Sequence, residues 1–163
     1  AAKSLEIAKT QVGIREKTGN NDGEVEKYTA SVGLNPTSKY AYCYSFQYWC
    51  ELQACIALGL PLTEIVIPKT GSTQKAYNEM KRVGKMTDSY ARINDFLFWT
   101  SIRNSSQGHV AKVYIICRGW WVYTIEGNTS GTNAREGTGV KIKKRNLETP
   151  PPGLTKTRLV GYR

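Results

Sequence analysis

The stretch Tyr42-Cys43-Tyr44-Ser45-Phe46-Gln47-Tyr48-Trp49-Cys50 follows a turn rich in Pro, Ser and Lys and opens the strongest helical pattern in the chain. Phe46, Trp49, Cys50, Ala54 and Ala57 recur at three- and four-residue steps, which predicts a helix over residues 43–58 with that face in the core. Gly59 and Pro61 end it, the first by permitting an irregular backbone and the second by forbidding helical continuation. Cys43 falls in the first turn, where unsatisfied N–H groups and the positive end of the helix dipole favour an anion. The position therefore suits a thiolate nucleophile.

Upstream, Leu5, Ala8 and Val12 share a helical face with Ile7 to one side, Ser4 is a candidate N-cap, and Gly13 is a stop. Residues 16–23 are a cluster of turn formers, followed by a short helix over 24–32 with Asp22 as its N-cap and Gly33 at its end. Asn20, Asn21, Asp22 and Glu24 are oxygen-rich, but their spacing is not that of a calcium loop, so turn and cap roles are expected. Asn35-Pro36-Thr37-Ser38 is the next turn. Downstream, residues 72–83 form a helix with Ala76, Tyr77, Met80 and Val83 inward and Gly84 at its end.

From Asn94 onward β-branched and aromatic residues dominate, in segments 96–99, 110–117, 120–126, 140–144 and 158–162. Polar or Pro-rich loops at 104–108, 128–139 and 149–153 separate them. Helices first and about five strands afterwards indicate an α+β domain, with an antiparallel sheet packed on the central helix.

At 163 residues, 40% of them hydrophobic, the chain suits one domain, residues 1–163. A formal charge of +10 implies an anionic partner such as nucleic acid, a membrane surface or a wall polymer. No apolar run approaches the roughly 20 residues that span a bilayer. The chain opens on Ala1-Ala2-Lys3 rather than Met, which points to a processed or trimmed start. Cys43, Cys50, Cys55 and Cys117 lack the paired spacing of a zinc site, so no metal is expected. The last three sit in apolar patterns as small hydrophobes, while disulfide formation and redox compartment stay open.

Arg118-Gly119 reads as a two-residue hairpin turn, with Gly supplying positive φ. Cys117 then opposes Trp120, Ala111 opposes Glu126 and His109 opposes Asn128, which puts His109, Glu126 and Asn128 on one side of the sheet. A one-residue change in the loop would move His109 to the other face. His109 is the only histidine, and Gly108 before it allows close approach to the ring. A free thiol near pKa 8.5 is only about 3% thiolate at neutral pH, and moving that to 6.5 takes about 2.7 kcal/mol. A helix terminus gives about 0.3 to 1 kcal/mol, so an imidazolium beside Cys43 is required. Glu126 or Asn128 would orient that ring through its other nitrogen.

These residues resemble the CHAP family, the cysteine- and histidine-dependent amidohydrolases and peptidases. The resemblance rests on Tyr42-Cys43-Tyr44-Ser45-Phe46 with Trp49-Cys50 and Gln53-Ala54, Asn94-Asp95-Phe96-Leu97-Phe98-Trp99, and Gly108-His109-Val110. Thr124-Ile125-Glu126-Gly127-Asn128-Thr129-Ser130, the closing Gly161-Tyr162-Arg163, and an early Thr18-Gly19-Asn20-Asn21-Asp22-Gly23 with Val25-Glu26-Lys27-Tyr28 extend it over nearly the whole chain. It departs from the family's usual Trp at Tyr42, small residue at Tyr44 and Gly at Asn94.

The resemblance implies a papain-like α+β fold and hydrolysis of an amide bond in the peptide part of peptidoglycan. Cys43 would be nucleophile, His109 base, and Glu126 and Asn128 orienting residues, with no cofactor. Asp95 and Trp99 read as a turn residue and a core ring. The implied protein is a monomer that acts on the bacterial cell wall, whether secreted or released by a phage at lysis. It makes no use of nucleic acid and has no transmembrane segment. The rival reading is a basic binding module for nucleic acid or wall, built on the four cations of residues 141–145 and the many aromatic rings. Against it, that charge run also reads as a solvated strand edge.

Overall fold

The computed structural model describes residues 2–87, 90–101, 103, 107–129 and 137–155, together with the backbone of 158–160. Four helices come first: α1 (Ala2–Thr10), α2 (Glu26–Ser31), α3 (Cys43–Ala57) and α4 (Thr73–Arg82). Six strands follow: β1 (Met86–Thr87), β2 (Phe96–Thr100), β3 (Gly108–Ile116), β4 (Trp121–Thr129), β5 (Gly139–Asn146) and β6 (Arg158–Val160). The strands form one antiparallel sheet in the order β1-β6-β2-β3-β4-β5. The fold is α+β, four N-terminal helices packed on an antiparallel sheet of four long strands with β1 and β6 as short additions. The sixth strand, not expected from sequence, is the two-residue β1 paired to β6 at one edge.

The central helix is more deeply enclosed than its apolar stripe implies. Phe46, Cys50 and Ala54 are buried as expected, but so are Tyr44, Ser45, Gln47, Tyr48 and Glu51, because the first ten residues of α3 are covered on several sides. Ala57, expected inward, is exposed at the far end. Tyr28 of α2 packs its ring 5.1 to 5.6 Å from those of Tyr42, Phe46 and Trp49. Phe96, Phe98 and Val110 form the sheet's side of a second cluster with Cys43, Tyr44 and Tyr48. The β2 and β3 residues of opposite parity, Leu97, Trp99, Ala111 and Val113, pack with Val122 of β4 on the other face, beneath Ala91, Leu147 and Leu154.

Several local expectations change. Ser4 lies inside α1, buried, and accepts a hydrogen bond from Lys112 Nζ at 2.7 Å instead of capping the helix. The same ammonium lies 2.5 Å from Glu51 Oε1, so one buried ion pair ties β3 to α3 and α1. Val12 falls beyond α1, which ends at Thr10, and is exposed. Val83, expected inward, is 46% exposed as the residue that closes α4. Asp22 precedes a short 3-10 turn, yet its carboxylate accepts from the Thr18 N–H (2.8 Å) and hydroxyl (2.6 Å), so it closes the preceding loop. Loop residues 104–106, residues 130–136 including Ser130, and the closing Gly161-Tyr162-Arg163 lie outside the described residues.

Candidate active site

Cys43 is the first residue of α3 and is 8% exposed. The chain reaches it through a 3-10 turn at Pro36–Ser38, capped by the Asn35 side chain on the Thr37 N–H, and a reversal at Lys39, whose φ is +57°. Tyr42 is held by its hydroxyl, which donates to Glu16 Oε1 at 3.1 Å. Glu16 Oε2 in turn accepts from the Asn21 N–H at 3.0 Å, and the Asn21 side chain donates to the Lys39 carbonyl. The polar N-terminal loop thus braces the entry to α3. A second helix also starts here: Thr73 opens α4, with Ser72 as its N-cap, and Thr73 Oγ1 lies 3.4 Å from Cys43 Sγ.

From the sheet comes His109, second residue of β3. A side chain at Gly108 would come within 3.0 Å of the Trp99 carbonyl and 3.1 Å of the Thr73 methyl, so the glycine lets β3 approach α4 beside the sulfur. The imidazole lies near enough to the Cys43 thiol for each group to shift the other's titration. Its Nε2 lies 2.8 Å from Glu126 Oε2, which leaves Nδ1 for the sulfur. The Trp99 ring stacks on the imidazole at 5.9 Å and 18° between planes, so this core ring is also a wall of the site.

Glu126 is fully buried and saturated. Thr124 donates its hydroxyl to Oε1 at 2.6 Å, and Arg145 grips both oxygens, Nε to Oε1 at 2.7 Å and Nη2 to Oε2 at 2.6 Å. Arg145 also lies over the Trp99 ring, 5.5 Å from its centre. Arg145 and Thr73 are the partners that sequence reading missed. Arg145 belongs to the cationic run on β5, and β5 is indeed an edge strand. Strand alternation puts Lys141, Lys143 and Arg145 on one face, but the register that aims Arg145 at Glu126 passes through residues 130–138, whose length carries no register signal. Thr73 had only its place at a helix start.

The electrostatics follow from these contacts. Burial raises the Cys43 thiol, but His109, the Thr73 hydroxyl and the Tyr44 N–H outweigh it and leave the thiol below its ordinary value. Burial opposes the imidazolium too, yet Glu126 and the cysteine lift His109 to about 9. Glu126, despite burial, is held far below the carboxylate range by Arg145 and His109. Each shift links stability to pH. A raised His109 gives stability present below 6.5 and lost as pH rises through about 9, whereas a lowered Cys43 gives stability present above 9.0 and lost as pH falls. The two contributions therefore oppose each other in pH, the His109 one being lost as pH rises and the Cys43 one as it falls.

The structure brings Cys43, His109 and Glu126 together, and the Asn128 Oδ1 makes no hydrogen bond to His109. A bulge between Glu126 and Thr129 interrupts the alternation, and Asn128 takes φ +51° within it. Its Oδ1 is buried with no hydrogen-bond partner among the described residues. Gly127 is needed in that bulge because a Cβ there would come within 2.7 Å of Phe46. Cys50, Cys55 and Cys117 are free thiols, the first two buried. Among the described residues no group of three or more His, Cys, Asp and Glu side chains is placed to hold a metal ion, and no helix is long and apolar enough to cross a membrane. No protein-family model matches the chain, and no curated protein matches it either.

Proposed function

We propose that this chain is a papain-like cysteine amidohydrolase of the CHAP type that cuts an amide bond of bacterial peptidoglycan, either between muramic acid and alanine or within the peptide. The observation that carries the reading is the line of contacts from the helix-start thiol of Cys43 to His109 and on to the buried carboxylate of Glu126. That arrangement favours thiolate and imidazolium together, which is the ground state a cysteine hydrolase needs. A second support is Asn94, where the CHAP pattern usually has Gly: its φ is +77°, a conformation that Gly and Asn tolerate best.

The Cys43 thiolate attacks the scissile carbonyl, and the C–N bond breaks as His109 gives its Nδ1 proton to the departing amine. Neutral His109 then takes a proton from water, whose oxygen adds to the thioester, and the thiolate leaves. Backbone N–H groups at the start of α3, that of Cys43 first, are the donors available to the oxyanion. The charge of +10 suits a polyanionic wall. In the rival binding-module reading the run on β5 would face solvent, but Arg145 is turned onto Glu126.

Cys43→Ala should abolish lysis of purified walls while the far-UV circular dichroism stays unchanged. Retained lysis would falsify the proposal, and mass spectrometry of wall fragments released by the parent protein identifies the bond.

A further inference from the structure

The hydrolytic reading uses Glu126 to orient His109, but it leaves unused the guanidinium that holds Glu126 more closely than the imidazole does. We propose that Arg145 is a positioning residue of this site: its two-pronged grip fixes Glu126 as a permanently compensated carboxylate, which aims His109 without locking the proton onto it. The inference rests on the hydrolase reading for its purpose and on the geometry for its substance. Both Glu126 oxygens accept from Arg145 at 2.6 and 2.7 Å, Glu126 is fully buried, and the Arg145 side chain is 21% exposed. The Trp99 ring touches guanidinium and imidazole alike, so the two cations and the carboxylate share one scaffold.

The chemical need is plain. When His109 gives its proton to the leaving amine, a carboxylate that relied on the imidazolium alone would become a buried anion without a partner, a state that costs several kcal/mol. The proton would then stay with the imidazole, and acylation would stall. Arg145 remains charged at every stage of the cycle. It also opposes the imidazolium directly by like charge. The groups facing His109 are Cys43 from α3, Glu126 from β4 and Arg145 from β5, with Lys143 and Lys141 on the same face of β5, while α4 contributes the Thr73 hydroxyl and β2 the Trp99 ring.

His109 is the only histidine, so its imidazole signals in an NMR spectrum are unambiguous and the titration needs no substrate. In the full chain the midpoint should lie near 9. Arg145→Gln should raise it by about one unit, because an unshared carboxylate then favours the imidazolium. An unchanged or lowered midpoint in the folded Gln variant overturns the proposal. Arg145→Lys keeps the charge and loses the fork: the midpoint should stay within about half a unit while the Nε2 proton exchanges faster with water. Exchange as slow as the parent's overturns the positioning role, even if the Gln variant fails to fold. Wall lysis tests the hydrolase reading separately, so the two can fail independently.

Discussion

Helix α3 carries three cysteines, and the molecule treats two of them, seven residues apart, oppositely. Cys43 at its start is brought below its ordinary pKa, whereas burial pushes Cys50 in its middle far up. Both have a carboxylate and a cation nearby. Around Cys50 burial prevails: Lys112 and Lys27 favour the thiolate and Glu51 opposes it, and all three act through charge alone. Around Cys43, Glu126 is matched by Arg145, so the charge of His109 is left over and acts on the sulfur. A buried cysteine is therefore activated by an excess cation beside it, and proximity to an ion pair leaves it inert.

The largest break in that comparison should come from His109→Gln. It removes the excess charge and leaves Glu126 compensated by Arg145, so the fold should hold to within about 1 kcal/mol. Cys43 should then behave more like Cys50. Iodoacetamide labelling of the Cys43 peptide at pH 7, followed by mass spectrometry, should slow about ten- to a hundredfold, one decade per unit of thiol pKa. Labelling as fast as the parent's would mean that the helix start activates the thiol unaided.

Lys112→Met tests the other half and should move stability rather than reactivity. It strands Glu51, which is 6% exposed, and removal of one partner of a buried pair costs about 3 to 5 kcal/mol, to be read as a lower urea midpoint. Labelling of Cys43 without denaturant should not change. If Glu51→Leu/Lys112→Met does not recover most of the loss, the cost lies in packing and not in the stranded charge.

Most of the architecture was legible because it depends on local pattern: α3, α4 and the five longer strands fall within a few residues of where periodicity puts them. The register that assembled the site was right for a reason the sequence hid. Cys117 bonds the Trp121 carbonyl at 2.9 Å, so the turn is Arg118-Gly119-Trp120, one residue longer than expected. Taken alone, that shift would have turned His109 to the wrong face. Tyr114 cancels it: Val113 pairs with Thr124 and Ile115 with Tyr123, so β3 bulges by one residue and Lys112 meets Ile125 in the expected register. A second bulge, uncompensated, falls at Asn128. Bulges arise from tertiary packing and have weak local signatures, which is why alternation located Glu126 but could not foresee the irregular backbone at Asn128. Buried ion pairs between distant segments, Lys112 with Glu51 and Arg145 with Glu126, were invisible for the same reason.

The smallest predicted effect sharpens the comparison most finely, because it leaves every charge in place. Thr73 is buried, and its hydroxyl, on a different helix from the one that carries the sulfur, lies 3.4 Å from Cys43 Sγ, where it can donate to a thiolate. Thr73→Val keeps the shape and the contact of Gly108 with the methyl but removes the donor. The hydroxyl can bond thiol and thiolate alike, and its extra strength to the anion is about 1 kcal/mol, so the thiol pKa should rise by somewhat less than one unit and labelling at pH 7 should fall about fivefold. The His109 midpoint should come down slightly, since a less stable thiolate attracts the imidazolium proton less well. If labelling instead falls as far as in His109→Gln, the hydroxyl positions the imidazole as well as the sulfur, and α4 belongs to the acid–base machinery. If it does not change, the excess cation and the α3 terminus suffice, and Thr73 only fills space between α4 and β3.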